Sequence, residues 1–139
     1  MRCLIHLILV ILVFAAVGCG RVGLAGEYRA EIRLMEGKQE STARGYSLAE
    51  VQARVAQDQR TLTLNSNGRF AFRSGSTLNE GKWRKEGDTL ILRDDISNGN
   101  RLQPALQKDR RWRVGDNGEI ISEGSYSYYN LAEVYTRTK

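Results

Sequence analysis

The chain has few of the side chains that most enzymes use for catalysis or for holding a metal. Its 139 residues include one histidine and two cysteines. These are His6, Cys3 and Cys19, so no residue beyond Cys19 is of either type. Ser-His and Cys-His nucleophiles and histidine-ligated metal sites are therefore excluded from that part of the chain.

Methionine, proline and phosphate-binding loops are equally scarce. Met35 is the only methionine after the first residue, which excludes a methionine-rich copper site. No G-x-G-x-x-G or Walker loop follows a predicted strand. Pro104, the only proline, is expected at the edge or start of a strand. We therefore expect no enzyme activity, no cofactor and no metal site.

The N-terminus has the charge and hydropathy of an export signal. Arg2 precedes an apolar run over residues 4–17 that only His6 interrupts. The run is shorter than the roughly 20 residues that span a membrane comfortably, and it matches the h-region of a signal peptide. On this pattern alone, a cleaved secretory signal and an uncleaved anchor both remain open.

The cysteine that follows this run favours a third interpretation. The sequence AVGC at 16–19 resembles the lipobox of bacterial lipoproteins, although Ala16 stands where that family usually has leucine. The resemblance implies that the preceding peptide is removed and that Cys19 is lipidated. It also implies a lipid-anchored protein of the bacterial cell envelope. Gly20 rather than aspartate follows the cysteine, which in that family favours the outer membrane over the inner membrane.

This interpretation divides the chain into three segments: a lipoprotein signal peptide at 1–18, a short tether at 19–26 and a single folded domain at 27–139. The formal net charge is +5. A mildly cationic domain on a short tether is attracted to anionic lipid headgroups. The membrane, through lipid on Cys19, is therefore the first expected partner.

Alternating hydrophobicity predicts a mainly β domain. Apolar and polar residues alternate over 26–36, and the apolar side chains expected to face inward are Tyr28, Ala30, Ile32 and Leu34. A capping box, S-x-x-E at 47–50, then starts one short amphipathic helix. Three hairpins follow, with turns at 65–68, 85–88 and 115–118. The pattern over 126–138 predicts the closing strand. We predict a small antiparallel up-and-down β-barrel of about eight strands with one helix after the first strand; a two-sheet β-sandwich is the alternative.

Two segments of this pattern resemble a known group. LTLNSNGRFAF at 62–72 and GKWRKEGDTLIL at 81–92 resemble the small lipocalin-like lipoproteins of bacteria. The matching positions are Leu62, Leu64, Gly68, Phe70, Gly81, Trp83, Gly87, Asp88, Leu90 and Leu92. Asn67 stands where the group usually has aspartate. The resemblance implies a lipocalin-like barrel and assigns no site residues.

Two groups of carboxylates are candidates for metal binding or for acid-base catalysis. DDISNGN at 94–100 combines two aspartates with two asparagines, a mixture that can bind Ca²⁺, but its spacing is not that of an EF-hand. We expect a solvated loop there. Glu119 and Glu123 lie four positions apart, and no environment that would raise a carboxyl pKa is visible around them. We therefore do not expect a paired-carboxylate hydrolase.

Two basic segments surround the two tryptophans, KWRK at 82–85 and KDRRWR at 108–113. Arginines around a tryptophan can hold phosphates and stack bases. Strand alternation, however, puts each tryptophan on the face opposite the charges immediately beside it. We expect Trp83 and Trp112 in the core, a solvated basic outer face and no nucleic-acid partner.

The segment YSYYNLAEVY at 126–135, near the C-terminus, is unusually rich in tyrosine. A closing strand with aromatic cross-strand pairs and a rim that contacts a ligand or partner are both compatible with it. If Leu131 faces inward, Glu133 does so too and becomes a polar group in a pocket; if Ala132 faces inward, Glu133 is solvated. The candidate rim residues are Tyr126, Tyr128, Tyr129, Glu133 and Tyr135.

We expect a non-enzymatic, membrane-tethered module with a structural or protein-interaction role and an unknown envelope protein as partner. The alternative is a lipocalin-like carrier of a small apolar or amphipathic ligand. Large aromatic side chains at inward positions, such as Phe70, Phe72 and Trp83, favour a filled barrel, because an eight-stranded barrel has little room beyond its own side chains.

Overall fold

The computed structural model describes residues 23–41, 45–124 and 126–139. The predicted signal peptide and the first half of the predicted tether, residues 19–22 with Cys19, lie outside these residues. The strands are β1 (Gly26–Leu34), β2 (Thr61–Leu64), β3 (Arg69–Ser74), β4 (Thr77–Glu86), β5 (Thr89–Ser97), β6 (Asn100–Arg101), β7 (Asp109–Val114), β8 (Ile120–Ser122) and β9 (Leu131–Arg137). The α-helix, α1, spans Leu48–Asp58, and two 3-10 helices span Pro104–Leu106 and Ser127–Tyr129.

Eight of these strands form a closed antiparallel barrel. Hydrogen-bonded neighbours follow the order β4-β3-β2-β1-β9-β8-β7-β5, and β5 pairs back with β4 to complete the ring. The two-residue β6 pairs with β5 and lies outside the ring. Closure leaves the ring without a free first or last strand, which is the usual way in which a meander of short strands avoids exposed edges. The predicted barrel, with one helix after the first strand, is confirmed over the alternative sandwich.

The three predicted hairpin turns join β2 to β3, β4 to β5 and β7 to β8. Each contains a glycine with positive φ, as in Gly68, where φ is 83°. Side chains rarely adopt that conformation, so the glycine determines where the chain can reverse. These turns explain why the hairpin boundaries were predictable from short stretches of sequence.

Large side chains fill the barrel interior. Trp83 is buried on β4 and its Nε1 donates a hydrogen bond to the Asn65 carbonyl across 2.9 Å. The absence of a side chain at Gly81 lets the β5 backbone and the Phe70 ring approach closely, because a Cβ there would lie 1.9 Å from the Arg93 carbonyl oxygen and 2.8 Å from the Phe70 ring. The buried core comprises Leu24, Tyr28, Leu62, Leu64, Phe70, Phe72, Trp83, Leu90, Leu92, Trp112, Ile120 and Tyr135. The barrel is therefore packed by its own side chains.

The three hairpin turns gather at one end of the barrel, which we call the turn end. The register places Gly26 opposite Leu64 there, so the chain enters the barrel at this end. Leu24 is buried, and its carbonyl accepts a hydrogen bond from Tyr28 Oη across 2.7 Å. The last residues before β1 thus close the turn end, and the predicted tether would leave from it.

Helix α1 lies over the opposite end, which we call the helix end. The Ser47 side chain accepts a hydrogen bond from the Glu50 amide, and the Glu50 carboxylate accepts one from the Ser47 amide, as in the predicted capping box. Val51 and Val55 are buried one turn apart and pack with the inward side chains of β1 and β9. The amphipathic face of the helix therefore covers part of this end.

Four local expectations were wrong. The closing strand begins at Leu131, because a 3-10 turn and the left-handed Asn130 interrupt the chain before it. The segment 94–97 continues β5 instead of forming a loop, since the long β4 offers it a pairing partner. Leu34 is exposed, as the last residue of β1 at the helix end. Pro104 starts a 3-10 helix, where its missing N–H has no partner to lose.

Candidate binding site at the helix end of the barrel

The interior of the barrel changes from apolar to charged near the helix end. On β9, Glu133 follows Leu131 and precedes Tyr135, and all three face inward and are buried. On β7, Arg110 lies two positions before Trp112 and shares its inward face, opposite Leu92. Asp94, two positions after the inward Leu92 on β5, and Arg60, directly before β2, also turn inward at this end, where they meet Arg110 and Glu133.

Glu133 is the most deeply buried of these charges, with 3% of its surface exposed. Its Oε2 accepts a hydrogen bond from Tyr135 Oη across 2.7 Å, and its Oε1 accepts one from Arg60 Nη1. Arg60 Nη2 also donates to Asp58 Oδ2 across 3.1 Å. The register left open by the sequence is therefore settled: Glu133 lies inside, with both carboxylate oxygens engaged.

The pKa values of its partners follow from these contacts. Burial, and then the neighbouring Glu133 carboxylate, raise the pKa of Tyr135 above its usual value, so the phenol keeps its proton and stays a donor. Burial lowers the pKa of Arg60, but the charge of Glu133 and the hydrogen bond to Asp58 outweigh it and raise that pKa overall. The Arg60 guanidinium therefore stays charged beside Glu133.

A second inward ion pair lies beside the first. Arg110 Nη2 donates to Asp94 Oδ2, and the guanidinium carbon of Arg110 lies 5.2 Å from the centre of the Phe72 ring. Within the part of the chain that the structure describes, two buried polar atoms of this cluster have no hydrogen-bond partner, Asp94 Oδ1 and Arg60 Nε. Leaving such atoms unpaired costs free energy, so the cluster is not the arrangement that packing alone would favour.

Three aromatic rings form a layer beneath these charges. Trp112 stacks on Tyr135 with the ring centres 5.0 Å apart, and Phe72 meets Trp112 edge-on at 5.7 Å. Phe72 also meets Tyr135 at 6.3 Å. Contacts of this kind stabilise the layer beyond the area that it buries. The layer therefore closes the barrel interior below the ion pairs.

Above this layer lies an open pocket of about 550 Å³, which we call the mouth. Pockets of about 300–1,000 Å³ are the usual size for small-molecule sites. The mouth is lined by Arg60, Phe72, Ser74, Arg110, Trp112, Ser122, Gly124 and Glu133. It combines two guanidinium groups with aromatic surface at the end of the barrel opposite the predicted tether.

The structure distributes the predicted rim residues over two places. Glu133 and Tyr135 lie within the barrel, and Tyr126 joins them through Arg60, whose guanidinium carbon is 5.6 Å from the Tyr126 ring centre. Tyr129 instead meets Tyr46 edge-on at 6.4 Å. Tyr128 lies in a 3-10 helix, and its side chain is not among the described ones.

The other carboxylate candidates are not brought together. Asp94 faces the interior and pairs with Arg110, whereas Asp95 lies outside and accepts two hydrogen bonds from Arg69, at 2.6 and 3.0 Å. Glu119 accepts hydrogen bonds from Asn117 and Arg33, which hold its pKa below the usual value. In the described residues, no group of histidine, cysteine, aspartate and glutamate side chains is arranged to hold a metal ion.

Sequence reasoning missed Arg60, Arg110 and Asp94 as members of this site. A signal existed for two of them, because Arg110 lies two positions from Trp112 and Asp94 two positions from Leu92. Residues two apart on a strand share a face. Arg60 had no such signal, since it lies outside the strands and meets Glu133 only in the folded chain.

A basic face lies on the outside of the barrel. Strand β5 brings the two basic segments together, because it pairs with β4 on one side and with β7 on the other. The register places Ile91 between Arg84 and Arg111, and Ile91 is fully buried although it points away from the core. The stems of long basic side chains can cover such a residue while their charges stay in water.

We define the basic face by its five outward cations, which are Lys82, Arg84, Arg93, Arg111 and Arg113. Three of the five meet acidic side chains: Arg84 lies 2.8 Å from Glu86 and 3.6 Å from Asp109, Arg93 lies 3.6 Å from Asp109, and Arg113 lies 3.4 Å from Glu123. Cations nevertheless outnumber the acids on these strands, so the face keeps a positive charge.

Comparisons with protein-family models, with curated proteins and with solved structures found no significant match. Within the described residues, no helix has both the length and the apolar character needed to cross a membrane. The function therefore rests on the sequence and on the geometry of the barrel.

Proposed function

We propose that the chain is a membrane-tethered lipoprotein of the bacterial cell envelope whose barrel acts as a non-enzymatic structural or interaction module. The sequence supports the proposed localisation, through the apolar run at 4–17 and the AVGC motif that ends at Cys19. Gly20 favours the outer membrane. A diacylated cysteine anchors a protein stably, because two acyl chains bury many methylene groups in the bilayer.

The observation that carries the module role is the filled interior. Aromatic and aliphatic side chains from all eight strands of the ring meet in one core, Leu24 covers the turn end and α1 covers part of the helix end. A filled barrel leaves its outer surface and its rim for contacts with other molecules. The basic face is one charged feature of that surface.

Anionic lipid headgroups are the partner that this face fits best. Each lysine or arginine near an anionic membrane surface contributes about 1 kcal/mol of attraction. Arg84, Arg111 and Arg113 lie toward the turn end, from which the tether would leave. Lipidation at Cys19 would keep this region close to the membrane, so a weak electrostatic contact would suffice to orient the barrel.

Lipidation is tested with labelled palmitate in a bacterial host. The full chain should incorporate the label, and Cys19→Ala should abolish incorporation and either release the protein into a soluble fraction or block removal of the signal peptide. A Cys19→Ala protein that is still cleaved and still bound to membrane would contradict the lipoprotein assignment.

Headgroup contact is tested with the chain that starts at Gly20, after circular dichroism has confirmed a mainly β fold. It should cosediment with vesicles that contain phosphatidylglycerol and not with phosphatidylcholine alone. Arg84→Gln combined with Arg111→Gln should weaken binding about tenfold or more. The matched control is Arg29→Gln combined with Arg33→Gln, on the opposite wall; an equal loss in both pairs would show that net charge alone acts.

A carrier of a small amphipathic ligand is the second candidate function. The mouth favours it, because an open pocket of about 550 Å³ with aromatic and charged walls can hold a small molecule. The filled interior restricts such a ligand to the rim of the barrel.

A further inference from the structure

We propose that the mouth binds a small organic anion, in which a carboxylate lies on Arg110 and a flat apolar group lies against Phe72 and Trp112. The inference rests on the second candidate function, the carrier, and names the chemical class of its ligand. It does not depend on lipidation of Cys19.

The choice of an anion follows from which charges are accessible. The exposed fractions of the side chains are 4% for Glu133, 13% for Asp94 and 16% for Arg60, against 29% for Arg110. Both oxygens of Glu133 are engaged, since it accepts from Arg60 and Tyr135, whereas Asp94 accepts from Arg110 through Oδ2 alone and its Oδ1 is buried. The charge that a ligand meets first in the mouth is therefore the Arg110 guanidinium.

Arg110 also has hydrogen bonds to offer. A guanidinium carries five N–H donors, and within the described residues the Arg110 side chain donates one hydrogen bond, to Asp94. A carboxylate can accept two parallel N–H bonds from one guanidinium, an arrangement that is both strong and directional. Because Arg110 also lies over the Phe72 ring and is paired with Asp94, its position is held before a ligand arrives.

The shape of the apolar part follows from the filled core. Trp112 stacks on Tyr135, and both are buried, so a long acyl chain has no room below the layer. The edges of Phe72 and Trp112 that face the mouth offer a short apolar surface beside the guanidinium. A compact aromatic carboxylate fits this combination better than a fatty acid.

The charges themselves point to a binding role. A barrel that needed only a stable core would place apolar side chains at these inward positions, because replacing a buried ion pair by packed apolar groups is often neutral or stabilising. Here two ion pairs lie at inward positions, and among residues 23–41, 45–124 and 126–139 no group pairs with Asp94 Oδ1 or Arg60 Nε. The pair between Arg110 and Asp94 holds a cation at the rim of a pocket.

The test uses the full chain in a non-ionic detergent, labelled with 5-fluorotryptophan, and 2-naphthoate as the probe. The protein has two tryptophans, so ¹⁹F NMR reports on both ends of the barrel. Trp112 lines the mouth, whereas Trp83 bonds to the turn at Asn65. We expect a saturable, stoichiometric shift of the Trp112 signal with no shift of the Trp83 signal. The neutral analogue 2-naphthylmethanol should bind at least tenfold more weakly.

Two variants locate the anion site. Arg110→Gln combined with Asp94→Asn removes the cation and leaves a neutral amide pair, and it should weaken 2-naphthoate binding about tenfold or more. Arg111→Gln is the matched control, because it removes the same charge one position along on the outer face, and it should change binding less than twofold.

Each other outcome overturns a specific statement. If neither compound shifts Trp112, both the anion site and the carrier function fail, while lipidation of Cys19 stands on its own test. If the alcohol binds as tightly as the acid, the carrier function stands and the anion class is wrong. If Arg111→Gln weakens binding as much as the double variant, the charge acts at long range and Arg110 is not the binding group.

Discussion

Tyr135 and Glu133, two positions apart on β9, both face the barrel interior, and the Tyr135 hydroxyl donates to the Glu133 carboxylate across 2.7 Å. This contact joins the aromatic layer of the core to the charges of the mouth. Because the hydroxyl donates to a carboxylate that is almost fully buried, it satisfies an oxygen that has little access to water. The stability of the barrel therefore depends on it.

Removing this hydroxyl should destabilise the fold. Tyr135→Phe keeps the ring and its stacking on Trp112 but leaves Glu133 Oε2 without a donor, so we expect a loss of about 1–3 kcal/mol in the free energy of unfolding. Urea denaturation followed by tryptophan fluorescence measures it. Tyr46→Phe, at an exposed tyrosine, should change stability by less than about 0.5 kcal/mol. Equal effects of the two substitutions would contradict the role of the contact.

Removing one partner of the ion pair should cost more than removing both. Arg60→Met leaves the buried Glu133 without its counter-charge, and we expect a loss of about 3–5 kcal/mol. The double variant, Arg60→Met with Glu133→Leu, replaces the pair by apolar groups and should recover most of that loss. A double-mutant cycle in urea measures the coupling free energy. A coupling near zero would show that the two side chains do not interact in solution.

The pH dependence of stability should report on the Asp95–Arg69 pair. The hydrogen bonds from Arg69 lower the pKa of Asp95 in the folded state, so this pair stabilises the fold above the unfolded pKa of about 3.9 and loses that contribution as pH falls through the folded value. Asp95→Asn should lower stability by up to about 1 kcal/mol at pH 7, and this difference should shrink steadily as pH falls below about 3.9. Thermal melts across this range measure the difference.

The control for that series is Asp116→Asn, at an exposed aspartate in the β7–β8 turn. It should leave the pH dependence of the melting temperature unchanged. A difference between Asp95→Asn and the parent protein that persists at low pH would mean that the substitution acts through packing and not through charge.

Truncating the buried tryptophan of β4 should be among the more costly core substitutions. Trp83 is 2% exposed and bonds to the turn at Asn65, so Trp83→Ala removes both packing and a satisfied donor, and we expect a loss of about 3–5 kcal/mol. Leu106→Ala, at an exposed leucine, should cost less than about 0.5 kcal/mol. A Trp83→Ala loss below about 1 kcal/mol would show that the strand register is wrong.

Local chemistry explains what could be read from the sequence. Alternation along β1, the capping box at Ser47 and the glycine turn at Gly68 each depend on residues close together in the chain. The strand, the helix and the turn predicted at these three places therefore appear there. The regions that were wrong, such as 126–130, lack a regular period, so their conformation follows from contacts with the rest of the barrel.

The sequence by itself determined the fold class, the inward placement of Phe72, Trp83 and Trp112, and the absence of histidine and cysteine beyond Cys19. Tertiary structure alone decided that β5 lies between the two basic segments, because strand order depends on closure of the whole ring. It also decided that Glu133 faces inward and meets Arg60, 73 positions earlier in the chain. The mouth exists only because the folded barrel brings side chains that are distant in the sequence into contact at one end.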